Sequence, residues 1–158
     1  METVAYHEAG HALMAVSMGA KVLSVTIEPE DDQGPRRSGD TAIEWRMTGI
    51  SPREFAERAI RVALAGPVAE MLYSGEPYHP GLVAEWQADW SDAWQHAALV
   101  HGDAKPRMAW LEELSIVIYR RFDSEPTWSA LADLADNLLA HETLESEVVH
   151  GIVREWQC

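Results

Sequence analysis

The feature that most constrains this chain is the pentapeptide His7-Glu8-Ala9-Gly10-His11, two histidines four residues apart with a glutamate after the first. On a helix, residues four apart lie about 40° apart around the axis, so both imidazoles project from one face, a turn apart. The surrounding residues predict that helix. Thr3-Val4-Ala5-Tyr6 leads into the motif, Ala12-Leu13-Met14-Ala15-Val16 follows it, and no proline occurs before Pro29. A helix rich in Ala, Leu and Met is therefore expected over 3–18. Gly10 costs about 1 kcal/mol of helix propensity, which is tolerable if a small residue is needed close to a metal or a packed neighbour.

Two neutral imidazoles at this spacing can hold one zinc ion, with Glu8 beside the water that completes the site. Zinc lowers the pKa of such a water to about 7, and a neighbouring carboxylate can then take its proton. The reaction implied is hydrolysis of an amide bond; the plain alternative is a helix carrying two surface histidines. A catalytic zinc site needs a third protein ligand. Position alone leaves Asp89, Asp92, Glu85, Glu70, His79, His96 and His101 as candidates. Two histidines and a carboxylate also suit iron, so the pattern does not fix the metal.

Composition narrows the setting. At 158 residues and 47% apolar content, the chain is expected to form one domain over 1–158 with a substantial core. A net charge of −14, acidic in both halves, argues against nucleic acid and anionic membrane surfaces as partners. The single cysteine, Cys158, excludes an internal disulfide framework and a cysteine-ligated zinc, and suits a reducing, cytoplasmic location. No apolar stretch reaches the roughly 20 residues of a membrane span, and there is no phosphate-binding G-x-x-x-x-G-K-[ST] loop.

Beyond the first helix, Val22–Ile27 reads as a β-strand and Glu28–Gly39 as a loop carrying the acidic run Glu30-Asp31-Asp32 and then Arg36-Arg37. Thr41–Met47 reads as a second strand, expected to run antiparallel to the first in a ribbon. Ser51-Pro52-Arg53-Glu54 is a helix start, with a serine cap and proline at the first helical position. That helix is expected to run to about Tyr73, bent at Gly66-Pro67. Further helices are expected at Val83–Val100, Pro106–Arg121, Thr127–Ala140 and Leu144–Trp156. The predicted class is mainly α with a small antiparallel β-ribbon.

Several segments resemble one family, the zinc peptidase domain of FtsH-type ATP-dependent proteases. Ala5-Tyr6-His7-Glu8-Ala9-Gly10-His11-Ala12 resembles its metal helix, and Val25-Thr26-Ile27-Glu28-Pro29 the strand that follows. Leu64-Ala65-Gly66-Pro67-Val68-Ala69-Glu70 is similar to its L-x-G-R-x-A-E segment, with Pro67 in place of the arginine. Leu138–Leu144 is similar to its L-L-x-x-E-T-L. The resemblance implies a helical, zincin-like metallopeptidase domain in which Zn2+ is held by His7, His11 and an aspartate, with Glu8 catalytic. That aspartate belongs to a segment similar to Asp89-Trp90-Ser91-Asp92-Ala93, which favours Asp89, with Asp92 as runner-up. Trp86-Gln87-Ala88 departs from the family's approach to this residue. The family's ATPase domain is absent from this chain, so peptides or unfolded proteins are the expected substrates, cleaved without ATP. The same resemblance allows a homo-oligomer.

Other residues carry weaker expectations. Glu70 is placed to orient a ligating histidine. Strand Val22–Ile27 offers an edge to an extended peptide. Trp86, Trp90 and Trp94 recur every fourth residue and read chiefly as core packing. His79, His141 and His150 read as structural or solvent-exposed. The rival functions are a proteolytically silent metal-binding regulator or adaptor, against which the intact Glu8 argues, and a metal-free interaction domain.

Overall fold

Helix α1 (Glu2–Ser17) runs through the middle of the protein, and its small side chains explain how. Ala5, Ala9, Ala12, Leu13, Met14 and Ala15 are buried on several sides of it. It packs on helix α2 (Pro52–Ser74), helix α5 (Thr127–His141) and strand β1 (Lys21–Thr26). A Cβ at Gly10 would lie 2.5 Å from the Ala65 carbonyl oxygen and 2.8 Å from the Ala69 Cβ. The propensity cost of Gly10 is thus offset by close approach of α1 to α2. Tyr6 stacks between Tyr73 and Trp128, at centroid distances of 4.3 and 5.3 Å, tying the start of α1 to α2 and α5. The computed structural model describes residues 1–29, 39–76 and 79–157. The acidic run Glu30-Asp31-Asp32, Arg36-Arg37 and Cys158 lie outside the described residues.

Beside the helices lies a three-stranded antiparallel sheet in the order β2-β1-β3, with β2 at Asp40–Glu44 and β3 at Thr143–Glu145. Val25 stands opposite Thr41 on one side and Leu144 on the other. The register shifts between Val22 and Ser24, leaving Leu23 as an extra residue. The expected ribbon of β1 and β2 is present, but β2 ends at Glu44 rather than Met47. The third strand corrects the sequence reading, which began a helix at Leu144. Three residues are too few to display an alternating pattern, and Leu144 lies four and eight residues before Val148 and Ile152, a helical spacing. The addition of β3 makes β1 the central strand. β2 runs along one side of β1 and β3 covers Ser24–Thr26 on the other, while the Val22 N–H goes to His150, so β1 offers no continuous edge to a peptide; β2 is an edge strand of the sheet.

Ser51 caps α2 through its Oγ, which accepts the Glu54 N–H at 3.1 Å, and Pro52 opens the helix. The helix then continues through Gly66-Pro67 to Ser74. The stretch expected as helix from Val83 instead begins as two 3-10 turns, Pro80–Leu82 and Ala84–Trp86, and becomes helix α3 only over Gln87–Ala97. His79 Nδ1 accepts the Gly81 N–H at 3.0 Å, fixing the first turn, and Trp86 anchors the second in the core. Trp86 therefore precedes α3, while Trp90 and Trp94 lie on it, half-buried against the core. Helices α4 (Ala104–Phe122) and α6 (Ser146–Gln157) complete the order; Leu111, Phe122, Leu131, Leu134, Leu138 and Val149 join their faces to α5. Among the described residues, no helix is long and apolar enough to cross a membrane.

Candidate metal centre

The first half of the site comes from α1 alone. His7 and His11 are one turn apart, and their Nε2 atoms approach to 3.1 Å. The second half arrives from α3, whose first turn carries Asp89. Asp89 Oδ2 lies 2.8 Å from His7 Nε2 and 3.3 Å from His11 Nε2. Among the described residues, His7, His11 and Asp89 are the group of metal-ligating side chains that converge. Asp92, one turn on, is exposed and faces His96 instead, Oδ1 to Nε2 at 3.5 Å. Glu85, His79, His96 and His101 fall outside the group as well. His79 lies on Trp90 and His101 on Trp110.

Hydrogen bonding dictates which nitrogen faces the cluster. His11 Nδ1 donates to the Val62 carbonyl at 2.7 Å, so in the neutral ring the lone pair sits on Nε2. His7 Nδ1 faces the Glu70 carboxylate at 3.8 Å, and the other oxygen of Glu70 accepts the indole N–H of Trp86. The His11 ring therefore has a hydrogen-bond acceptor behind it, the arrangement that fixes tautomer and orientation in metal-ligating histidines, while the Glu70 carboxylate stands behind His7 beyond hydrogen-bond reach. Three electron-pair donors then point at one another across 2.8–3.3 Å, which is favourable only with a cation, a proton or a metal, among them. On a tetrahedral zinc with ligands at about 2.0–2.1 Å, neighbouring donor atoms are about 3.3 Å apart. The donor set and its spacing fit zinc.

Electrostatics follow from the same packing. Burial opposes charge on His11, but the Asp89 carboxylate overrides it and raises the imidazole pKa to about 10 in the ion-free protein. Burial likewise works against the Asp89 charge, yet His11 and His7 hold its carboxyl well below the usual carboxylate range. Glu70 is pushed upward by burial, against the pull of His7 and Trp86.

Glu8 is buried, with 6% exposure. Its Oε2 accepts the Thr41 hydroxyl at 2.7 Å, so the first residues of β2 orient the carboxylate from across the helix. Thr41 and the Val62 carbonyl escaped the sequence reading. A threonine in a strand carries no sign of which carboxylate it meets, and a backbone carbonyl has no letter. Gly66 was legible only as a bend. Its function is steric: a Cβ there would stand 2.3 Å from His11 Nε2 and 2.6 Å from Cε1. Gly66→Ala is expected to displace the His11 ring, lower zinc affinity at least tenfold, and cost about 1–3 kcal/mol of stability from overpacking. Zinc titration and thermal unfolding of the variant check both effects.

No family model matches the chain. Over 75 residues it is 37% identical to a chloroplastic ATP-dependent zinc metalloprotease FTSH of Capsicum annuum. It is 36% identical over 75 residues to the chloroplastic FTSH 1 of Oryza sativa subsp. japonica and the FTSH 5 of Arabidopsis thaliana. Each match covers 46% of this chain and 11% of the relative, so the chain spans about a tenth of the length of these proteins. The similarity is therefore that of a distant relative of FtsH-type metalloproteases, carried by a little under half of the chain.

Proposed function

We propose that this protein is a zinc metallopeptidase of zincin-like fold, acting without ATP as this chain stands on unstructured peptides or proteins. The reading rests above all on three donor atoms, His7 Nε2, His11 Nε2 and Asp89 Oδ2, separated by 2.8–3.3 Å beside a buried glutamate. His7, His11 and Asp89 would hold the ion. When bound, zinc acts as a Lewis acid toward a peptide carbonyl and acidifies water.

The chain's own residues supply the rest. Glu8 acts as general base: with Oε2 engaged by Thr41, Oε1 takes the proton of the attacking water and returns it to the departing amine. Burial and the Thr41 hydroxyl hold that carboxylate in one orientation, as proton transfer over hydrogen-bond distance requires. The Val62 carbonyl keeps the His11 imidazole aligned, and the Glu70 carboxylate stands 3.8 Å behind His7. Strand β2, at the outer edge of the sheet and carrying Thr41, can take an extended peptide by backbone hydrogen bonding beside the site.

The test is cleavage of casein and of a fluorogenic unstructured peptide by the full chain loaded with zinc. Activity is expected to fall to background with a chelator and to return on adding zinc. A protein that binds one zinc but leaves both substrates intact would be a silent metal-binding regulator. One that binds no zinc would be neither.

A further inference from the structure

A second constellation of charge lies at the start of β1, away from the metal ligands. Lys21, Arg46, Ser146, Glu147, His150 and Arg154 line an open cleft with a volume of about 540 Å³, within the range of small-ligand sites. Its parts come from three places: Lys21 opens β1, Arg46 follows β2, and α6 supplies Ser146 and Glu147 from its first turn, His150 from its second and Arg154 from its last. Among the described residues Lys21, Arg46 and Arg154 form no ion pair, and all three line this one cleft.

The remaining polar groups reinforce this. His150 Nε2 accepts the Val22 N–H at 3.1 Å, so the ring is neutral and carries its proton on Nδ1, a donor. Burial first, then Arg154, Lys21 and Arg46, lower its pKa, as expected where several cations crowd one cleft. The N-terminus of α6, at Ser146, adds backbone donors and the positive end of a 12-residue helix. Three cations against the single carboxylate of Glu147 leave a net charge of +2 lining the cleft. A monoanion neutralises half of that. A phosphate group carries about −1.5 to −2 at neutral pH and offers several acceptor oxygens to arginine forks.

We propose that this cleft is a binding site for a phosphate-bearing anion, distinct from the metal centre. The inference does not depend on peptidase activity. The probe is inorganic phosphate titrated into the full chain at constant ionic strength set with sodium chloride, followed by backbone amide chemical shifts. Saturable shifts are expected at Lys21, Val22, Ser146 and Glu147. The double substitution Arg46→Ala/Arg154→Ala is expected to weaken the fitted Kd at least about tenfold, from loss of charge-assisted hydrogen bonds. Glu147→Gln is expected to tighten it. All three positions are exposed, so these variants keep the fold, which thermal unfolding verifies. Shifts that never saturate, a Kd unchanged in the double variant, or shifts centred on His7, His11 and Asp89 overturn the proposal. Succinate binding as tightly as phosphate overturns the assignment to phosphate.

Discussion

Glu8→Gln is expected to reduce peptide cleavage by about 10²–10⁴-fold while leaving zinc stoichiometry and unfolding temperature nearly unchanged. The split follows from geometry. Glu8 lies outside the converging group of His7, His11 and Asp89, so its loss removes no metal ligand. Glutamine has the same shape, and its amide oxygen can still accept the Thr41 hydroxyl that now reaches Oε2 at 2.7 Å. What glutamine cannot do is take a proton at neutral pH. Paired measurements decide the matter: zinc bound per chain, and cleavage of casein. Unchanged cleavage in a variant that still binds zinc would remove Glu8 from the chemistry, and a parallel loss of zinc would make it a structural residue.

This division between what supports the ion and what moves the proton was only partly readable in the sequence. The helix over 3–18 was legible because a proline-free run of Ala, Leu and Met surrounds two histidines at helical spacing, and α1 is there at Glu2–Ser17. Asp89 was not reachable by periodicity. It lies 82 residues from His7, and only similarity to a known pattern favoured it over Asp92, which has the same residue type one turn later. The packing around His11 was less legible still. Gly66 suggested a bend, and its role as the hollow that receives the imidazole depends on how α2 crosses α1. Trp86 counted as one of three regularly spaced tryptophans, yet it stands before α3 and gives its indole N–H to Glu70. The strand at Thr143–Glu145 was missed for a related reason. Its partner β1 is over a hundred residues away in sequence, and no local pattern announces a three-residue strand.

The second large effect is expected at Asp89. Asp89→Ala removes one of three donors and should lower zinc affinity on the order of 100-fold or more, since the loss of a supporting hydrogen bond alone typically costs 10–100-fold. Asp92→Ala is the matched control. Its carboxylate is exposed and turned toward His96, so affinity should change less than about twofold. Asp89 is also the main group favouring charge on buried His11, against the cost of burial. Without it, the imidazole gives up its proton at lower pH, and competition between protons and metal weakens. The net loss in Asp89→Ala should therefore grow as pH rises from neutral toward about 10, where protons cease to compete for His11 in the wild type. Zinc titrations of wild type and both variants at two pH values separate the possibilities. A larger loss in Asp92→Ala would move the third ligand one turn along α3. Wild-type protein without zinc affinity would reduce the cluster to a buried ion pair, its carboxylate held by two histidines for packing alone.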